Sequence, residues 1–441
     1  PTRAQGVDLS RLLVLSLLFY GLLLAGVGLV PPALLALALP LGAYWLVALW
    51  LAPGEVSLRA RRSLSTTRLT EGGPVDVRLE IENQGDPLDL LWFNDLLQGG
   101  MRVMAGKPGR LVSMKRGETL VCEYTVNVPR GVFVYEELEV RVGDGLGLAI
   151  RPVSLPAEGM ISVLPRAPKL NNLSLRPEVT HGYHGTIPAR RGGAGVAFFG
   201  VRDYQPGDAL RQVNWRLGAR HPDALYSNEF QVEAVADIGL VLDGRQENYL
   251  FLGGQGLFEY AVQAAASLAQ TFLVEGNRVG LLSFGHAYQW THPGYGKVQL
   301  ERILQALGAL QPGDLHTEMP ESLPAHFARP GSQLVVISPL NGWDVGALLR
   351  LCARRYSLLV VSPDPSSFEY QHLRPGSPRD LAKRIAHLER QQLLLPLRQA
   401  GVPVLDWDIT LTLDQALNHL RRGALGSGRP SAGAAAPGGL A

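Results

Sequence analysis

From Leu12 to Gly54 the chain carries no charged residue. A run of that length suffices for two bilayer crossings at roughly 20 residues each. Pro31-Pro32 interrupts it near the middle, so it reads as two helices, about Leu12–Val30 and Ala33–Leu51, with Pro40 and Gly42 as kink positions in the second. Neither segment has a polar face, which argues against a buried helical hairpin. The first apolar run is too long for a cleaved signal peptide and leads straight into the second. Arg3 and Arg11 precede the first helix, Arg59, Arg61 and Arg62 follow the second, and the turn between them is uncharged. That distribution predicts both ends on the cytoplasmic side. Residues 1–54 are therefore expected to be a two-helix transmembrane hairpin, two-pass in the inner (cytoplasmic) membrane with the soluble domains in the cytoplasm, and the lipid bilayer is an expected partner.

The length, 441 residues, allows about three domains, each with its own core. The balance of 41 Lys+Arg against 39 Asp+Glu leaves a net charge of only +2, which gives no support to nucleic acid as a partner. Cys122 and Cys352 fall in different predicted domains and read as plain thiols. Over 55–165 the pattern turns to short period-two runs, such as Val75-Asp76-Val77-Arg78-Leu79-Glu80-Ile81. Gly72-Gly73, Asn83-Gln84-Gly85-Asp86 and Lys115-Arg116-Gly117 separate them, which predicts an antiparallel β-sandwich.

Residues 166–235 read as a polar connector. The cluster Arg190-Arg191-Gly192-Gly193-Ala194-Gly195 lacks both a preceding strand and a following Gly-Lys-Ser/Thr, so a linker is favoured over a phosphate loop. His181 and His184 have no further ligand at metal spacing. The connector's richest stretch runs from Phe198 to Phe230. It sets Arg202, Asp203, Asp208, Arg211, Arg216 and Arg220 among Tyr204, Trp215 and Tyr226, with Pro206-Gly207 marking a turn. Planar Arg forks among carboxylates and rings predict two-pronged ion pairs and stacking. The pattern Arg202-x-Tyr204-x-x-Gly207-Asp208-x-x-Arg211-x-x-Asn214-Trp215, followed by Ala219-Arg220 and Glu229-Phe230, resembles the signature of domain-of-unknown-function family fifty-eight. The run from Arg130-Gly131 to Asp144-Gly145-Leu146-Gly147-Leu148 resembles a second block of that family, with Gly145-Leu146 in place of its Pro-Phe. Arg202, Tyr204, Gly207, Asp208, Arg211, Asn214, Trp215, Arg220 and Glu229 are the candidate site, either as an interdomain clamp or as a partner-binding surface.

From 236 to 425 strand and helix patterns alternate. Strands are predicted at Asp237–Asp243, Arg278–Phe284, Gln333–Ser338, Ser357–Ser362 and Val402–Leu405, and helices at Phe258–Val274, Lys297–Leu310, Val345–Arg354, Pro378–Gln399 and Leu413–Arg422. Such alternation implies a doubly wound α/β domain. With an Asp ending its first strand, it resembles a von Willebrand factor A domain, whose Asp-x-Ser-x-Ser loop binds a divalent cation. Here that loop reads Asp243-Gly244-Arg245-Gln246-Glu247. Asp243 and Thr317 are the remnants of a degenerate site, so no metal is expected, and Asp243 is expected to pair with Arg245 or a neighbour. Ser283, His286, His292 and Asp314 form no recognisable nucleophile–base motif, and Asp406 with Asp408 reads as loop carboxylates. No catalytic residue and no cofactor are assigned. Residues 426–441, rich in Gly, Ala, Pro and Ser, are expected to be a disordered tail.

The expectation is a bacterial, non-catalytic, membrane-anchored scaffold or adaptor. The family resemblance implies a MoxR-type AAA+ ATPase as partner, together with a transglutaminase-like membrane protein, in protein remodelling or cell-envelope function. A divalent-cation-dependent protein-binding module and a hydrolase or transferase with an unrecognised site are the alternatives.

Overall fold

The computed structural model describes residues 3–4, 10–29, 32–50, 56–143, 150–171, 187–221, 224–234, 236–252, 255–314, 318–372 and 377–426. The chain divides into two compact units, Pro1–Leu164 and Pro165–Ala441. His181, His184, Thr317 and the tail beyond 426 lie outside the described residues.

In the first unit the uncharged run forms helices α1 (Ser10–Leu29) and α2 (Pro32–Trp50). They approach closely at Gly42, where a Cβ would meet the Phe19 ring at 2.7 Å. The transmembrane reading does not stand. Among the described residues no helix is long and apolar enough to cross a membrane. In α2 Pro40 sits inside the helix. The two-pass hairpin and the inner-membrane location built on it fall together; the chain is a mixed α/β protein with many strands.

The longer strands described in this unit are β1 (Leu58–Leu64), β2 (Pro74–Asn83), β3 (Leu88–Asn94), β4 (Arg102–Gly106), β5 (Gly109–Met114), β6 (Thr119–Asn127), β7 (Gly131–Gly143) and β8 (Ile150–Leu164). One sheet has the order β1-β2-β6-β4; the other runs β8-β7-β3-β5, with the short strands Arg3–Ala4 and Arg68–Thr70 beside β8. The alternation in β2 turns Val75, Val77, Leu79 and Ile81 inward. There they share a core with Phe93, Leu138, Val140 and Ile161 of the other sheet. One charged pair lies within it: Arg62 Nη2 and Nε donate to Asp95 at 2.6 and 3.2 Å. Arg62 Nη1 also donates to the Ala157 carbonyl, Tyr124 donates to Asp95 at 2.6 Å, and the Tyr135 ring lies 4.3 Å from the guanidinium carbon.

The second unit begins with a two-stranded antiparallel hairpin, β9 (Ile187–Asp203) and β10 (Tyr226–Ala234). Sequence reading made the region before Phe198 a linker. Its glycines obscure the alternation, and the register slips at Pro188/Gly192, Gly193/Phe198 and Phe198/Gly200 show the strand absorbing them as bulges. There follow β11 (Asp237–Asp243), α3 (Leu257–Val274), β12 (Arg278–Phe284), β13 (Gln289–Gly294), α4 (Gly296–Ala309), β14 (Gln333–Ile337), α5 (Gly342–Ala353), β15 (Ser357–Pro363), α6 (Pro365–His372), α7 (Ser377–Gln399), β16 (Val404–Trp407) and α8 (Leu413–Gly426). The sheet order is β13-β12-β11-β14-β15-β16, parallel except for the antiparallel edge strand β13. Its inner strands are buried on both faces and therefore read as continuous apolar runs. Helices α3, α4 and α8 cover one face, around Leu240, Leu242 and Val335; α5 and α7 cover the other, around Val241, Val336 and Val360. The chain leaves β11 for β12 on one side and later crosses to β14 on the other. The topological switch point, where sheets of this kind bind ligands, thus lies beyond the carboxyl ends of β11 and β14.

Candidate functional site

At the switch point β11 ends on Asp243, which is fully buried. The loop after it is drawn tight by backbone bonds from Gly244 N to the Phe284 carbonyl (2.6 Å), from Gly313 N to the Gly244 carbonyl (2.8 Å) and from Gln246 N to the Gly313 carbonyl (2.8 Å). These approaches demand glycine. A Cβ at Gly285, where φ is +144°, would sit 2.3 Å from the Gly244 carbonyl carbon, and one at Gly313 would sit 2.4 Å from His286 N. The turn folds the Arg245 side chain back over Asp243.

Arg245 grips Asp243 with two prongs, Nε to Oδ1 at 3.0 Å and Nη2 to Oδ2 at 2.8 Å, and its backbone N–H adds 2.9 Å to Oδ1. Nη2 reaches on to both oxygens of Asp344, at 2.9 and 2.8 Å. Asn248 Nδ2 and Ser338 Oγ each donate to Asp243 Oδ2 at 2.7 Å, and Tyr249 donates to the Asp243 carbonyl at 2.7 Å. Asp344 is carried there by the first turn of α5. The Asn341 side chain caps the Trp343 and Asp344 N–H groups at 3.0 and 3.1 Å, and Asp344 accepts from Asn341 N at 3.0 Å, a reciprocal capping box.

All three charged residues are buried, with two carboxylates sharing one guanidinium. Burial pulls the Arg245 pKa down, but bonds to Asp243 and Asp344 outweigh it and leave the group above its ordinary value. Burial raises the Asp344 pKa, and Arg245 only partly offsets that rise. Burial, followed by the nearby Asp243 charge, holds the Tyr249 phenol well above its usual range. A divalent cation does not fit these residues. The Asp243 oxygens it would need already receive Arg245, Asn248 and Ser338, and a guanidinium stands where the ion would lie.

The rest of the carboxyl edge is closed in the same manner by Arg390 of α7. Its Nε donates to Asp406 at 2.5 Å, its Nη1 to the Pro339 carbonyl at 3.1 Å, and its Nη2 to the Ser362 carbonyl and hydroxyl at 3.1 and 2.9 Å. Asp406 is thereby taken up by Arg390, while Asp408 accepts from Thr410. Ser283 is buried, His286 and His292 are exposed, and among the described residues no hydrogen bond joins them. Cys122 and Cys352 are free thiols whose pKa values burial raises.

The motif residues lie in and between β9 and β10. Gln205-Pro206-Gly207-Asp208 closes a turn with Asp208 N donating to the Gln205 carbonyl at 3.0 Å, and Gly207 supplies the φ of +110°. Arg202 Nη2 pairs with Asp208 at 2.6 Å and Gln205 N donates to the same carboxylate at 3.0 Å, so Arg202 first, then Gln205, holds the Asp208 pKa below its usual value. Asn214 caps a one-turn helix, Trp215–Gly218, by accepting from Leu217 N at 3.0 Å, and its Nδ2 donates to Asn228 at 2.8 Å. Tyr204 is half-buried, and Glu229 lies on β10 with its side chain outside what is described. Arg211, Arg216 and Arg220 are exposed, and among the described residues none of their side chains makes a hydrogen bond or ion pair. Between them Trp215 is 63% exposed. Of the ion pairs the motif promised, Arg202–Asp208 forms among the described residues, and the side chains of Arg211, Arg216 and Arg220 are exposed.

Sequence reasoning missed the roles of Asn248, Ser338, Asp344 and Arg390. The cap pattern Asn341-x-x-Asp344 could have located the third; nothing in the sequence singles out Arg390.

Residues 200–368 match the family described as Protein of unknown function DUF58. They belong to that family. The DUF58 region takes in the motif hairpin from Gly200, the Asp243–Arg245–Asp344 cluster and β15, but neither α7 nor Arg390. The chain is also similar to "Uncharacterized protein YeaD" of Bacillus subtilis (strain 168), 27% identical over 235 residues, 52% of this chain and 56% of that relative. The match thus spans little more than half of the relative's length. Among solved structures, the β-glucosidase EmGH1 of Erythrobacter marinus aligns at 14% identity over 25% of this chain and 16% of that one, with a TM-score of 0.14. A β-glucosidase from Listeria innocua in complex with glucose aligns at 13% identity over 25% and 17%, with a TM-score of 0.11. Scores that low carry no argument about fold or activity.

Proposed function

We propose that the chain is a non-catalytic scaffold or adaptor whose Arg/Trp hairpin docks an acidic face of a protein partner. The partner class is the MoxR-type AAA+ ATPase implied by the family resemblance, with a role in protein remodelling or the cell envelope. The reading rests on one observation: Arg211, Arg216 and Arg220, whose side chains are free of partners among the described residues, flank the exposed Trp215 along the chain. Trp and Arg are the side chains that dominate binding energy at interfaces, and Arg forks match carboxylates in two-pronged fashion. The parallel sheet with a buried Asp at the end of its first strand supports kinship with von Willebrand factor A domains. In that reading Arg245 takes the cation's place, and partner binding proceeds without metal.

The test titrates the full chain against the MoxR-type ATPase of the same organism by interferometry. Trp215→Ala and the double variant Arg211→Ala/Arg216→Ala are each expected to weaken binding by about thirtyfold, the loss of a ~2 kcal/mol hot spot. Their melting curves should be unchanged, because the side chains are exposed. Absence of binding by the unaltered chain, equal binding by the variants, or unfolding of the variants would overturn the proposal.

A further inference from the structure

Helix α7 has two apolar faces. Arg390, Leu394 and Leu397 are buried against the sheet. On the other side Leu381 and Leu388 are 60% and 62% exposed, and Ile385 and Leu395 each 49%. At about 100° per residue these four side chains and Gln392 fall in one stripe, roughly 180° from the buried face. A surface helix of a monomer needs only one apolar stripe. The spacing of the outer one, 381, 385, 388, 392, 395, alternates four and three, the a/d seam of a coiled coil with Gln392 as a single polar residue at an a position.

The residues flanking the seam select the occupant. Arg384 lies on one side, at a g position, and Glu389 on the other, at an e position; both are exposed and, among the described residues, without partners. In a parallel pair of identical helices Arg384 of each faces Glu389 of the other, twice over, and Gln392 meets its own copy. In an antiparallel pair Arg384 meets Arg398, Glu389 meets its copy and Gln392 opposes Leu388, so like charges and an unmatched amide disfavour it. We propose that α7 forms a parallel two-stranded coiled coil with a second copy of this chain. The occupied stripe, about 22 Å long and roughly 10 Å wide, covers on the order of 220 Å², well under the roughly 800 Å² per partner of a standard interface, so the dimer is weak and concentration-dependent. The proposal is independent of the hairpin's role.

Sedimentation velocity on the full chain from about 1 to 100 μM tests it. A reversible shift from monomer to dimer is expected. Leu388→Asp should abolish it with an unchanged circular dichroism spectrum, since the residue is exposed. Arg384→Glu should weaken the dimer at least tenfold by opposing Glu389 of the partner, and Arg384→Glu/Glu389→Arg should restore it. A chain that stays monomeric, or one whose association ignores Leu388→Asp, would overturn the proposal. So would an Arg384→Glu variant that associates more tightly, because that is the signature of antiparallel pairing with Arg398.

Discussion

Arg245→Met removes the positive member of a buried triad and retains most of its volume. Asp243 and Asp344 then remain 0% and 1% exposed with no counter-charge. Asn248 and Ser338 still serve Asp243, and the Asn341 N–H still serves Asp344, but the two-pronged bond and both Nη2 contacts to Asp344 are gone. Breaking a buried pair by deleting one partner costs about 3–5 kcal/mol. With a urea m-value near the ~3 kcal/mol/M upper end for small proteins, the second unit's midpoint should fall by about 1–2 M. The loss depends on pH with a definite sign. The folded-state pKa of Asp344 is already raised by burial despite Arg245. A raised carboxyl contributes stability that is fully present below its unfolded pKa, roughly 3.9, and lost as pH rises through the folded value. Without Arg245 that folded value climbs further, so the deficit of the variant should grow from pH 5 to pH 8. Adding Asp344→Asn should recover part of it at pH 8 and little at pH 5. Urea curves of both variants at the two pH values read this directly. A deficit under about 1 kcal/mol, or one independent of pH, would refute the idea that Arg245 offsets the rise that burial forces on the Asp344 carboxyl.

Three further outcomes follow from the structure. Gly285→Ala should destabilise the second unit by more than the roughly 1–2 kcal/mol of left-handed strain alone, because its Cβ would sit 2.3 Å from the Gly244 carbonyl carbon; thermal melts against Gly207→Ala, where nothing lies within 4 Å of the added Cβ, separate strain from collision. In the first unit, Tyr124→Phe removes a bond to the buried Asp95 and should cost about 1.5–3 kcal/mol; in ultraviolet titration the Tyr135 phenol, pushed up to about 12 by burial and then by Asp95, should ionise well after free tyrosine.

What the sequence discloses and what it hides divide along physical lines. Asp237–Asp243 and Arg278–Phe284 are legible as strands because a parallel strand buried on both faces has no polar alternation to disguise it. The stripe of α3 is legible for the corresponding reason in a helix. The antiparallel edge strand Gln289–Gly294 is not, since Gln289, Trp290 and His292 face solvent and Pro293 breaks the pattern. The helices α1 and α2 are read off the uncharged run, yet absence of charge alone does not establish a membrane crossing. At the site, Asp243 with Arg245 is visible because the two are neighbours in sequence. Asp344, 99 residues beyond Arg245, and Arg390 enter through tertiary packing that no local pattern encodes.

The carboxyl edge of a doubly wound sheet ordinarily offers its polar groups to a ligand. Here those groups are consumed from within. Asp243 is filled by Arg245, Asn248 and Ser338, while Asp406 and the carbonyls of Pro339 and Ser362 are filled by Arg390. Leaving any one of these unmatched would cost more than the bond itself contributes, so neither guanidinium is free to swing out and admit a ligand without penalty. The unsatisfied chemistry of this unit lies elsewhere, in the exposed arginines around Trp215 and in the outer stripe of α7. Both are surfaces rather than pockets, which is why the two proposals above assign them protein partners rather than a small ligand.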